Sequence, residues 1–388
     1  MMLEKKEFPN EEFAITNVVM NPSQERLTFI DALRGYAILM MLQGHTIGVV
    51  LQEQFRDQKY PVFMVWRYLT GLTAPVFFLS AGLIFSFLMA KAESSGDSRL
   101  SKGVKRGLWL MVLGWILQIW PPILKDAWMG ELWSALRFIG KSHVLHTIGF
   151  SLLIMVGLWL ACQRRERLFA GAAFVLAQLA LLSGPQIEQW MPANSWQRIP
   201  ATFISREFAV FPLLPWVGYA LMGAALGVLA WRTKWYRSRQ WFIALAVIGF
   251  ILMQGNHLIT GAFWTIVGGL EDYQLSEYSG RYWRVGGVLS FVGLMGLFCH
   301  FLQQRGWEEK GPMKIVTTCG RETLTIYFLH IFVVYGVVFG VGLAPFFARE
   351  FGVWTSIATA LTVQILFILL AMNLPKLRKA CPWLSLLR

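Results

Sequence analysis

The apolar residues of this chain come in unbroken blocks of about twenty, the length a helix needs to cross the hydrocarbon layer of a membrane. Leu27 to Val50 and Trp283 to Phe301 are two of them. Inside a bilayer every backbone polar group must be paired within the protein, so only helices and closed barrels can span it. Barrel strands would be half as long and would alternate apolar with polar side chains. A stretch such as LLPWVGYALMGAALGVLAW, at 213–231, is apolar all round and predicts a helix. Charge agrees: only 15% of the 388 residues are charged and 56% are hydrophobic, against about a quarter charged in an ordinary soluble domain. The expected fold is all-α, a polytopic membrane protein of about ten transmembrane helices. It forms one domain over 28–374, between tails at 1–27 and 375–388.

The pattern places membrane segments at 28–50, 62–90, 104–121, 143–162, 168–184, 208–231, 240–258, 284–304, 318–341 and 354–374. Basic residues give them a direction. With the N-terminus inside, the inner segments hold 22 of the 35 Lys and Arg and the outer loops 11, while Arg34 and Arg321 lie within helices. Cytoplasmic loops carry such an excess, so both termini are expected in the cytoplasm. The runs KRG at 105–107, RRER at 164–167 and WRTKWYRSR at 231–239 fall on that side, where they fix topology and meet anionic lipid. The net charge of +13 is thereby accounted for, and no nucleic acid partner is expected.

Cys162, Cys299, Cys319 and Cys381 also map to the inner side, where thiols stay reduced, so no disulfide is expected. The first 25 residues have no apolar core of the kind a cleavable signal peptide needs. The outer loops at 122–142, 185–207 and 259–283 hold Trp128, Trp133, Trp190, Trp196, Trp264 and Trp283, read first as an interfacial aromatic belt and second as rings that could stack on sugars. Glu271, Asp272 and Glu277 give the last of these loops an acidic rim, read first as a solvated loop and second as an attraction for an amine.

Ionisable groups inside membrane helices are costly and mark functional sites by default. The first helix, in RLTFIDALRGYAILMMLQGH, holds Asp31, Arg34 and His45. Eleven residues from Arg34 to His45 put both on nearly one helix face, roughly 16 Å apart along the axis. Asp31 lies one turn before Arg34 and can pair with it. Against function stand two plainer readings: a snorkelling arginine, and a histidine satisfied by packing.

An Arg-Gly with a His eleven positions after the Arg, on the first helix, resembles the signature of the transmembrane acyltransferases. That superfamily includes the acyltransferase-3 enzymes and the heparan-glucosaminide N-acetyltransferase-like proteins. GLTAPVFFLSAGLIFSFLM at 71–89, SHVLHTIGFSLL at 142–153, FPLLPWVGYALMGAALG at 211–227 and GRETLTIYFLH at 320–330 resemble the second of these branches more. The resemblance implies that His45 is catalytic and that Arg34 is the motif arginine. It implies acetyl-CoA, or another acyl-CoA, as co-substrate.

The remaining site expectations follow from placement. Arg34, Arg106 and Arg321, at inner helix ends, could meet the phosphates of a cytoplasmic acyl-CoA. Neutral His45 could then deprotonate a hydroxyl or amine for direct attack on the thioester, or become acylated itself. Direct transfer is preferred, because no Cys lies in the outer half to take the acyl group. His143 and His146 open the fourth segment at the depth of His45, where they either position the acceptor or lie at the interface. His330 is mid-membrane, one turn from Tyr327, either lining the same cavity or bonding a neighbour. No histidine has the i, i+4 spacing with a carboxylate of a helical zinc site, so no metal is expected.

The expected function is an acyltransferase of the bacterial cytoplasmic (inner) membrane, delivering an acyl group to a glycan or small-molecule acceptor on the far side. Its expected partners are membrane lipids, acyl-CoA and that acceptor, with a homo-oligomer allowed. A proton-coupled transporter and a non-catalytic membrane partner are the alternatives, the first weakened by the lack of repeat halves.

Overall fold

A computed structural model describes residues 27–57, 59–94, 99–118, 128–131, 142–190, 209–267, 280–307, 310–337 and 340–387. Most of the N-terminal tail, Trp133, Trp196, the side chains of Trp190 and Trp264, and Glu271, Asp272 and Glu277 lie outside the described residues. Among those described the architecture is all-α, with one isolated bridge between Leu51 and Phe351.

Fourteen helices follow in order: α1 Thr28–Val50, α2 Pro61–Gly71, α3 Thr73–Ser94, α4 Leu100–Gln118, α5 Val144–Ala161, α6 Glu166–Trp190, α7 Leu213–Thr233, α8 Arg239–Gln254, α9 Asn256–Val267, α10 Gly280–Gln304, α11 Gly311–Arg321, α12 Thr323–Tyr335, α13 Leu343–Phe347 and α14 Val353–Ala380. Among the described residues five spans are long and apolar enough to cross a membrane, Pro61–Ser94 counting as one, or six if the bent pair α8–α9 is a single span. The chain is therefore an all-helical integral membrane protein. Many large apolar side chains on helix faces point outward, as lipid-facing surface does: α14 exposes Leu361, Ile365, Leu366, Leu369 and Met372.

Three of the expected segments are broken, each for a local reason. The segment at 62–90 divides at Leu72, because the Pro75 ring has no N–H for the Gly71 carbonyl and occupies the space in front of it. The segment at 240–258 ends at Gly255, and α9 leaves at 65° to α8. The segment at 318–341 is a correction: α11 ends at Arg321, and α12 is only 13 residues long. Thr323 donates its hydroxyl to the Gly320 carbonyl, 2.6 Å, at the start of α12. Gly336, with φ +67°, ends it in the left-handed conformation that glycine adopts without strain.

The last segment runs past its expected end. α14 continues to Ala380, and a 3-10 turn at Pro382–Leu387 folds back to bury Leu384 and Leu387. Thr325 of α12 and Trp109 of α4 donate to the carbonyls of Leu387 and Leu386 at 2.9 and 2.8 Å. Arg378 grips Glu322 with two hydrogen bonds of 2.7 and 2.6 Å, both side chains nearly buried. Replacing Arg378 with Ala leaves that carboxylate alone and should destabilise the detergent-solubilised protein by about 2 kcal/mol. The Arg378→Ala/Glu322→Ala double variant should recover part of the melting temperature; full additivity of the two single losses would show the pair is not coupled.

α1 sits at the centre, packed against α3, α11, α12 and α14. It buries Ile30, Leu33, Ala37, Ile38 and Leu42. Its C-terminal end is tied down by backbone bonds from Gln52 to Phe351 and from Phe351 to Val50, 2.9 Å each, which hold the end carrying His45 beside the start of α14. A close crossing joins α3 to α7, where a Cβ on Gly82 would run into the Ala220 carbonyl and one on Gly223 into the Leu79 carbonyl.

Candidate functional site

Arg34 and His45 of α1 open into two separate cavities. The first, about 370 Å³, lies among α1, α3, α4, α5 and α12. Phe77 and Met89, both on its wall, are twelve residues apart on α3, so it runs for roughly 18 Å along that helix. Its wall is mostly apolar, with Leu110, Leu145 and Leu152 among its side chains. Arg34 and Arg106 line it, as do two cations that a tally of loop charge does not single out, Arg99 and Lys102. Tyr327 also faces it.

Arg321 does not line that cavity. Its guanidinium Nε reaches the Asp31 carboxylate at 3.3 Å, across the α1–α11 contact. The backbones meet there because a Cβ on Gly320 would collide with the Asp31 carbonyl and one on Gly35 with the Val316 carbonyl. The close ion pair of Asp31 is thus with Arg321 rather than Arg34, while its charge still acts on Arg34. Arg34 makes no hydrogen bond or ion pair among the described residues and is left facing the cavity.

The second cavity, about 550 Å³, lies at the other end of α1 and is lined by His45, Arg67, Tyr68, Thr73, Trp283 and Arg284, among others. His45 Nδ1 is 2.8 Å from His330 Nε2. His330 is fully buried, and its Nδ1 lies 2.5 Å from the carbonyl oxygen of Tyr327. A carbonyl can only accept, so Nδ1 of His330 carries the proton and, in the neutral ring, its Nε2 accepts. His45 Nδ1 must then be the donor. The order carbonyl, His330, His45 leaves His45 Nε2 unprotonated, which is the state a base needs. The Tyr335 ring packs edge-on against His45 at 5.5 Å. Nothing in the local sequence links His45 to His330, 285 residues away.

His143 and His146 are not at this site. The His143 amide donates to His146 Nδ1 at 3.1 Å, and the two form a reciprocal cap on the first turn of α5. His146 is buried against Gly114 and Trp115 of α4. Ser142 and Thr147 complete the corner, with the Thr147 hydroxyl 2.5 Å from the Phe211 carbonyl. Among the described residues no three His, Cys, Asp or Glu side chains are grouped to hold a metal ion.

The tyrosine and histidine of α12 thus form a partition. Tyr327 faces the Arg34 cavity, His330 is bonded to its carbonyl, and His45 opens on the other side.

The sequence matches the family model described as heparan-alpha-glucosaminide N-acetyltransferase, catalytic, over residues 26–266. The match includes Arg34, His45, Arg67 and Arg106, and it ends before Arg284, Tyr327 and His330. No match is found among curated proteins.

Proposed function

The chain belongs to the heparan-alpha-glucosaminide N-acetyltransferase catalytic family, and we propose that it moves an acetyl or other acyl group from cytoplasmic acyl-CoA to a sugar or glycan on the opposite side, with His45 as general base. The observation that carries this reading is the hydrogen-bond order from the Tyr327 carbonyl through His330 to His45, which leaves Nε2 unprotonated on a ring that lines the second cavity. Arg34, Arg99, Lys102 and Arg106 supply cations for the donor's phosphates, and the long apolar channel beside them suits a thin extended arm. Asp31 and Arg321 hold α1 to α11 rather than bind donor. His143 and His146 shape the start of α5.

The reaction follows from these placements. As an acceptor hydroxyl or amine attacks the thioester carbonyl, His45 Nε2 takes its proton. The carbon–sulfur bond breaks, and the CoA thiolate leaves with the proton that His45 returns. His330 holds the ring so that Nε2 is the atom presented. Transfer takes place at the partition.

The topology belongs to the same proposal. We place about ten segments across the bacterial cytoplasmic membrane, adding α1, α4, α6 and α12 to the long apolar spans, with both termini inside. The basic excess on the inner segments supports that direction.

Purified protein given acetyl-CoA labelled in its acyl group, with a panel of amino and neutral sugars, should transfer label. Failure with every acceptor, together with proton-coupled uptake into vesicles, would favour a carrier. Arg106→Ala should raise the KM for acetyl-CoA about ten- to a hundredfold with kcat little changed, the loss of a hydrogen-bonded charge at a binding site. An unchanged KM would remove the Arg34 cavity as the donor site.

A further inference from the structure

A base that can take the proton of an acceptor hydroxyl can take one from water as well. A transferase that keeps its acyl group for the acceptor must therefore hold water away from the thioester. The register of the helices shows where a barrier of that kind lies. α1 and α3 line both cavities. On α1, Met41 lines the second cavity and Arg34, seven residues earlier, lines the first. On α3 the step is shorter: Thr73 lines the second cavity and Phe77, one turn later, lines the first, roughly 6 Å along the axis. The side chain on the donor face of that single turn is Phe77.

The surroundings of Phe77 suit a barrier that can open. Val76 and Phe78 on either side of it are fully buried, whereas Phe77 is only partly so and borders the open first cavity. Phe77 and Tyr327 pack against one apolar cluster that contains Ile38, Met41 and Ile326. Water settles in a buried site only where it finds two or more polar partners, and Met41 and Phe77 offer none. The hydroxyls that flank Phe77 on α3 give their protons to the helix itself, Thr73 to the Thr70 carbonyl at 2.8 Å and Ser80 to the Phe77 carbonyl at 3.0 Å. Neither is left to pass a proton or to receive the acyl group.

We propose that Phe77 is the gate between the two cavities, a specificity-determining residue that directs the acyl group to the acceptor and away from water. With a donor seated in the first cavity, its ring bars the water of the second cavity from the thioester, and it turns aside when an acceptor fills that second cavity. This rests on the acyltransferase reading above and adds to it the choice between two nucleophiles. The reaction it suppresses is hydrolysis: the oxygen of water bonds to the acyl carbon, the carbon–sulfur bond breaks, and the proton taken by His45 goes to the sulfur, giving a free acid and the CoA thiol.

The test gives the full-length protein in detergent acetyl-CoA without acceptor and follows release of the CoA thiol. Phe77→Ala should release thiol about tenfold faster than wild type or more, and should lose acyl groups to water when the amino and neutral sugars are added. Adding His45→Ala to Phe77→Ala should remove the gain, because one base serves both nucleophiles. Leu88→Ala enlarges the same cavity roughly 16 Å further along α3 and should divide acyl groups between water and sugar as wild type does. Thiol release at the wild-type rate in a Phe77→Ala protein that still acylates a sugar overturns the inference and leaves the acyltransferase reading standing. Should Phe77→Ala fail to elute as a single peak, Phe77→Leu decides in its place, raised release upholding the gate and wild-type release overturning it. If wild type acylates no sugar at all, that reading fails, and proteoliposomes holding a pH-sensitive dye decide the inference. A faster proton leak in the Phe77 variant than in wild type and Leu88→Ala upholds the gate, and an equal leak overturns it.

Discussion

Replacing His45 with alanine should lower acyl transfer by about 10²- to 10⁴-fold, the range for loss of a positioned general base. The KM for acetyl-CoA should stay near its wild-type value, because His45 lines the second cavity and not the one beside Arg34. Rates measured in wild type and variant at saturating donor decide it, and equal turnover would remove His45 from the mechanism. His330 separates a chemical role from a positional one. His330→Ala takes away the acceptor for His45 Nδ1–H and frees the wrong tautomer, so it should lower kcat without changing donor binding. His330→Gln keeps an acceptor at that place and should recover part of the rate. Equal loss in both would mean that His330 supports packing alone.

The second large effect is on folding. Gly223→Leu should prevent α3 and α7 from closing, since even a Cβ there runs into the Leu79 carbonyl, and Gly82 meets Ala220 from the other side in the same way. Overpacking of a soluble core costs about 1–3 kcal/mol, and here the obstacle is backbone rather than a side chain that can turn aside. The expected outcome is loss of the monodisperse peak on size-exclusion chromatography in detergent. Gly157→Leu, at a helical position whose Cβ meets nothing within 4 Å, is the control and should elute as wild type does. Normal elution of the Gly223 variant would show that the crossing is looser than the glycines imply.

What the sequence made legible was local to one helix. Apolar blocks announced the helices, and the eleven-residue interval from Arg34 to His45 placed a cation and a base along one span. The resemblance in that same interval agreed with the family match. What it did not make legible was anything settled between helices. Asp31 lies one turn from Arg34, yet its partner is Arg321, brought in by the glycine contact of α1 with α11. Arg99 and Lys102 were counted as topology charge and Arg67 and Arg284 as outer-loop charge, because a count of charges contains no information about which cavity each one faces. His143 and His146 matched His45 in depth, but depth is one coordinate of three, and the ring of His146 is spent on capping α5. The break at Leu72 was available in Pro75. The shortness of α12 was signalled only by Gly336.

The partition formed by Tyr327, His330 and His45 has an electrical consequence. If the two cavities enter from opposite faces of the membrane, as the proposed topology has them, the protein between them is the insulator, and most of the membrane voltage falls across these three side chains. Moving one elementary charge through that field costs or releases about 2.3 kcal/mol per 100 mV. In the proposed transfer the acyl group leaves the thioester sulfur for the acceptor while the acceptor's proton goes to that sulfur, so one group replaces the other and no net charge is carried. The proposed reaction would pass matter across the layer while passing no current, so a cell could run it at any membrane potential.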